Sequence, residues 1–132
     1  MTLVVDASFV VAALTDDGPD GRWADSLLDV DELAAPHLMQ VEAANVIRRG
    51  EAAGSIGADT ASLAHADLLA LRVELFAYEH FASRVWELRH NVSAYDALYI
   101  AVAESLGADL ATLDRRLSRA NGPRCRFRLP PD

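Results

Sequence analysis

Four carboxylates stand where a fold could gather them. Asp6 closes the apolar run "TLVVD", and Asp114 closes "ADLATLD". Glu42 falls early in a stretch of helical pattern, and Asp96 sits inside the apolar segment "VSAYDALYIAVAE". Like charges repel by about 4 kcal/mol per pair at 4 Å and an effective dielectric of 20. Three or four such groups stay ionised only with a cation among them; otherwise some take up protons. Carboxylate oxygens suit Mg²⁺ or Mn²⁺, and an ion so held can acidify a bound water and offset negative charge. Each acid also has a local explanation. Asp6 and Asp114 stand where helix N-caps stand. Glu42 suits a solvated helix surface. Ser93 and Asp96 have the spacing of a capping box, with Asp in place of Glu.

The elements that must position these acids follow from the hydrophobic pattern. "TLVVD" reads as a first strand with a helix after it, and "ELAAP" as a weaker strand ended by Pro36. Residues 37–51 read as helix, and the two glycines of "GSIGAD" break it. A further helix runs to about Leu71, with Ala64, Leu68 and Leu71 on one face. "VELFAY" is a strand. Residues 80–90 return to helix through Phe81, Val85 and Leu88, and residues 93–106 follow with Tyr95, Leu98, Val102 and Leu106 at helical spacing. Gly107 is the expected C-cap. "ADLATLD" is a strand, "RRLSRA" a short helix and "CRFRL" a last, alternating strand. Strands alternating with helices imply an α/β fold with a mostly parallel sheet covered on both faces. Ligands of such sheets bind beyond the carboxyl ends of the strands. Two strands ending in Asp therefore aim two carboxylates at one edge, and helices that follow strands begin at that edge. All four acids converge if the strand of Asp6 lies beside that of Asp114, which strand order alone decides.

Composition narrows the chemistry. A chain of 132 residues with 52% apolar content fits one domain, residues 1–132, with a single core. No stretch approaches the roughly 20 apolar residues of a membrane span. The apolar start lacks a basic leader and is broken by Asp6, so it reads as strand and helix rather than signal peptide, and a cytoplasmic protein is expected. Cys125 is the only cysteine, and the four histidines show no ligand spacing. The net charge of −8 argues against broad electrostatic binding of nucleic acid. That charge is uneven. Residues 1–32 carry eight acids against Arg22, and residues 115–132 carry six arginines against Asp132. All twelve basic residues are arginine. Chemistry that needs a lysine is thereby excluded, including the Walker phosphate loop, and no G-x-G-x-x-G is present. Haloacid-dehalogenase-like phosphatases and response-regulator receivers cluster aspartates similarly, yet rely on a lysine.

"VVDAS", "EAANVIRR", "SAYDALYIAVAE" and "LATLDRRL", in this order, resemble the signature segments of the PIN-domain ribonucleases, and above all the VapC-type toxins of bacterial toxin–antitoxin pairs. The resemblance runs from Thr2 to about Leu129. It implies a single three-layer α/β/α domain of about five strands and a Mg²⁺- or Mn²⁺-dependent endoribonuclease. Asp6, Glu42, Asp96 and Asp114 would be its catalytic and metal-holding acids, and Ser8, Asn45 and Thr112 its supporting polar residues. The implied products are a 5′-phosphate and a 3′-hydroxyl, and the implied partners a VapB-type antitoxin and a second copy in a homodimer. Arg48, Arg49, Arg115 and Arg116 could hold the RNA backbone beside the site. The rival is a fold of this kind that only binds RNA or a protein. The acidic stretch "TDDGPDGRWADSLLDVDE" and the tail "CRFRLPPD" carry no signature.

Overall fold

The computed structural model describes residues 1–29 and 32–132. Five parallel strands form one sheet: β1 (Thr2–Val5), β2 (Glu32–Pro36), β3 (Val73–Phe76), β4 (Asp109–Ala111) and β5 (Phe127–Arg128). Their order is β3-β2-β1-β4-β5. Leu3, Val4 and Val5 are consecutive and all buried, so both faces of the sheet are covered. The helices α1 (Ala7–Thr15), α2 (Pro19–Leu28), α3 (Leu38–Ala52) and α4 (Ala58–Ala70) pack as one group. The second group is α5 (Ala82–Glu87) with α6 (Ala94–Leu106), and α6 lies against β1, β2 and β4. Among the described residues no helix is long and apolar enough to cross a membrane.

The strand order settles the adjacency on which convergence depends. After β1 the chain builds β2 and β3 on one side, then crosses to place β4 on the other. Val4 pairs with Leu110 and Val5 with Ala111. Asp6 and Thr112 therefore follow side by side, and the Asp6 N–H donates to the Ala111 carbonyl at 3.3 Å. The strand order reverses at this pair, which is where open α/β sheets bind their ligands.

Several elements differ from the pattern in the sequence. The helix expected over 80–90 is a 3₁₀ turn at Tyr78–His80 followed by α5, although Phe81, Val85 and Leu88 are buried as their spacing requires. "RRLSRA" is a 3₁₀ turn, Leu117–Arg119, rather than an α-helix. Beyond β4 the Thr112 N–H still donates to the Arg128 carbonyl at 3.0 Å, and then the backbone donors turn to side chains: Leu113 N–H to Ser8 Oγ and Asp114 N–H to Thr112 Oγ1. In α6 the expected face is broken at its ends, with Tyr95 61% and Leu106 39% exposed. The middle of that helix, Ala97–Ala103, is buried on every side. The helix α2 had no expectation at all. Pro19 starts it, and Gly21 lies so close to the Asp16 carbonyl that a Cβ would stand 1.7 Å from that oxygen. Ala24 is buried, and Trp23 meets Phe9 edge-on at 5.5 Å.

A half-buried ion pair fastens the segment after β4 to the helices. Arg84 donates to both carboxylate oxygens of Glu104, at 2.7 and 3.1 Å, and to the Gly122 carbonyl at 2.9 Å. Glu104 also accepts the Arg124 N–H at 2.7 Å. Burial pushes the Glu104 carboxyl up, but the bonds from Arg84 and Arg124 outweigh it and hold the group below its usual range. A carboxylate with a depressed folded pKa stabilises the fold above its unfolded pKa, and the gain is lost as pH falls through the folded value. Glu104→Gln is expected to cost about 1–3 kcal/mol in urea unfolding at pH 7. The gap to wild type should close as the pH is lowered from about 4.3 towards 3; a gap constant with pH would show that the charge is not what matters.

Candidate active site

Asp6 is the anchor of the acidic edge. It is the N-cap of α1, only 8% exposed, and every oxygen is taken. Oδ1 accepts the Ser8 hydroxyl at 2.7 Å and the Phe9 N–H at 3.0 Å, and Oδ2 accepts the buried Thr112 hydroxyl at 2.5 Å. The two hydroxyls also receive the Leu113 and Asp114 N–H groups, at 3.1 and 3.0 Å. Ser8 and Thr112 thus lock the end of β1 to the end of β4. Asp114 continues the lock: its Oδ1 accepts the Arg116 and Leu117 N–H groups at 2.9 and 3.1 Å and caps the 3₁₀ turn.

The remaining acids approach from the helices. Asp96 lies in the first turn of α6, where Ser93 Oγ accepts its N–H at 3.2 Å. The local cap and the convergence of acids coexist. Burial raises the Asp6 carboxyl above its usual range against the pull of Thr112, Ser8 and the Phe9 N–H, and the Asp96 charge adds to the rise. Asp96 is raised by burial and then by the charge of Asp114, with Ser93 opposing. Asp6, Asp96 and Asp114 therefore form one chain of mutual repulsion. Glu42, on α3, joins through a residue that sequence reasoning passed over. The buried Tyr99 donates its hydroxyl to Glu42 Oε1 at 2.6 Å. Burial, then the Glu42 bond and the Glu42 and Asp6 charges, keep that phenol protonated far above its normal range. The signal was the spacing: Tyr99 follows Asp96 by three residues on one helix face.

The other expected residues divide between the site and the rest of the surface. The exposed Asn45 accepts from Arg48 Nε at 2.9 Å and has no hydrogen bond to the acids among the described residues. Arg49 is exposed in the last turn of α3. Arg115 is bound to the tail, through the Pro130 carbonyl at 2.6 Å and Asp132 at 3.3 Å. Arg116 shares an open cleft with Asp96 and Asp114.

The donor set fits a hard divalent cation by its chemistry. All the donors are carboxylate oxygens, and a cation among them relieves the repulsion that raises Asp6 and Asp96. Among the described residues no three acidic, histidine or cysteine side chains are drawn together tightly enough to grip one ion alone. That openness suits an ion held by one or two carboxylates with water and substrate phosphate completing its shell, the habit of Mg²⁺.

The PIN domain family model matches residues 3–123. Ribonuclease VapC9 of Mycobacterium tuberculosis is 37% identical over 129 residues, spanning 98% of each chain. The crystal structure of VapC20 from the same species, described as a sarcin–ricin loop cleaving toxin, covers 88% of this chain and 92% of its own, with a TM-score of 0.67 and 22% identity. VapBC2 from Rickettsia felis, bound to a promoter DNA fragment, covers 99% and 100% with a TM-score of 0.67 and 14% identity. The two structures share the fold.

The repulsion has a measurable sign. A carboxylate whose folded pKa is raised weakens the fold as pH climbs from the unfolded value, about 3.9, through the folded one. Asp96→Asn keeps the polar shape and removes the charge. In chelator at pH 7 it should melt about 2–4 °C above wild type, a figure discounted for the half-exposed position. At pH 4 the two should melt together. A variant that melts lower at both pH values would mean that Asp96 serves the fold through its bonds rather than straining it through its charge.

Proposed function

Since the chain belongs to the PIN-domain family, among the VapC ribonucleases, we propose that it is a metal-dependent endoribonuclease and the toxin of a toxin–antitoxin pair. The observation that carries this reading is the gathering of acids where the strand order reverses: Asp6 is locked there to Thr112 at the end of β4, and Asp96 and Asp114 line one cleft. Asp6, Asp96 and Asp114 would hold Mg²⁺ or Mn²⁺ directly or through water, and Glu42 would bind a metal or orient a water. When bound, the ion supplies an acidified water and neutralises charge building on the phosphate.

The chain's own residues provide orientation. Ser8, Thr112 and the Phe9 N–H fix the Asp6 carboxylate, so its direction is set before any ligand arrives. Ser93 and the first turn of α6 set Asp96. Tyr99 holds Glu42 against its tendency to swing into solvent, and its bound proton prevents it from acting as a base. The protein acts on cytoplasmic RNA, leaves a 5′-phosphate and a 3′-hydroxyl, and functions as a homodimer. Its control comes from a VapB-type antitoxin that sets an arginine among the acids, since a guanidinium engages carboxylates bidentately.

Purified protein should cut an RNA panel in Mg²⁺ or Mn²⁺ and stop in EDTA. Asp96→Asn should lower the cleavage rate by about 100-fold or more, the scale of losing several kcal/mol of charge stabilisation, while its circular dichroism stays that of wild type. Full metal-dependent cleavage by the folded variant would sink the assignment of the site. RNA binding without cleavage under every metal tested would favour the binding-module reading.

A further inference from the structure

We propose that Arg116 and Arg119 form a cradle for the RNA backbone, gripping phosphates of a single strand on the flank of the acidic cleft. This assignment rests on the ribonuclease reading and adds the surface that would seat the substrate. The cleft is open, about 450 Å³, and its lining includes Asn91, Asp96, Asp114, Arg116 and Arg119. Two acidic residues and two arginines thus line one hollow. Yet among the described residues neither guanidinium makes an ion pair within 4 Å or a hydrogen bond. Some arginines elsewhere are occupied, while others such as Arg49 and Arg72 are equally unpaired among the described residues but do not line this cleft. Arg84 is bound to Glu104, Arg128 to Asp109 and Arg115 to the carboxyl-terminal tail. The free pair stands where an anionic strand would otherwise meet only negative charge.

Backbone geometry aims the two side chains together. Arg116 is the N-cap of the 3₁₀ turn and Arg119 its last residue, and side chains at i and i+3 of a 3₁₀ helix eclipse. Arg115, one residue earlier, is directed away and spent on the tail. The turn is held firmly. Asp114 caps it, Leu117 is buried beneath it, Ser118 Oγ donates to the Arg115 carbonyl at 2.7 Å, and Arg84 and Glu104 pin Gly122 and Arg124 beyond it. A planar fork on a fixed support matches a phosphate bidentately and loses little freedom on binding. Such contacts read backbone charge and carry no sequence information.

The test uses the full chain carrying Asp96→Asn as a cleavage-deficient parent. Short fluorescein-labelled single-stranded RNAs of different base composition are titrated by anisotropy in Mg²⁺ across a salt series. Arg116→Gln with Arg119→Gln should weaken binding about tenfold on every RNA and reduce the log–log salt slope by about 1.4, or about 0.7 for each phosphate contact on single strands. Arg72→Gln, just before β3 at the opposite edge of the sheet, removes the same kind of charge and should change neither quantity. In the catalytically intact chain the double variant should raise KM and leave kcat within about twofold. If wild type cleaves RNA and the double variant binds with unchanged affinity and slope, the cradle is wrong and the ribonuclease reading stands. If wild type neither binds nor cleaves any RNA, both fall together. A loss confined to one base composition would overturn the backbone assignment, because it would mark base readout.

Discussion

A buried carboxylate beside other carboxylates is the constraint from which the rest of this molecule follows. Asp6 gives up most of its hydration where the central strand ends, and a charge so placed needs hydrogen-bond donors. Ser8, Thr112 and the Phe9 N–H provide them. One of these donors comes from a strand far along the chain. The register of β1 with β4 is therefore both a packing arrangement and a condition for tolerating the charge. Even so, Asp6 and Asp96 stay above the normal carboxylate range, so the donors meet the constraint only in part. The remaining strain is the opening for a cation.

Much of this was legible before any coordinates. Asp6 and Asp114 could be placed at strand ends because an apolar run followed by an acid marks a strand and its exit. Asp96 stood out because a carboxylate interrupted an apolar helix. What the residues could not supply was strand order, since hydrogen bonding between strands so distant leaves no local trace. Tyr99 escaped notice for a different reason. It reads as one more apolar residue in a buried helix, and only its hydroxyl's partner on α3 shows a polar task. Asn45 shows the converse: expected to support the acids, it instead accepts from Arg48, one turn along the same helix.

The elements missed or shortened share a physical cause. α2 lies in an acidic stretch where only Trp23, Ala24, Leu27 and Leu28 carry the apolar pattern, and tertiary contact with Phe9 decides its fate. Beyond β4 and in the 3₁₀ turn, backbone donors are diverted to Ser8, Thr112 and Asp114. Regular structure ends where the site begins. The tie from Arg84 and Glu104 then restores rigidity to a segment that has lost its ladder.

The bond between Thr112 and Asp6 spans 106 positions in the chain. Contacts of that span form late, after long-loop closure, and parallel pairing of this kind is slow. During synthesis the ribosome makes Asp6 106 positions before Thr112, and a polypeptide grows at about 5–20 residues per second. For most of that interval the first acid has neither its distal donor nor its neighbouring strand. A chain cut before β4 lacks a floor for the cleft and one of its four acids, Asp114. Topology thus orders assembly: the acidic edge is complete only once β4 has docked beside β1.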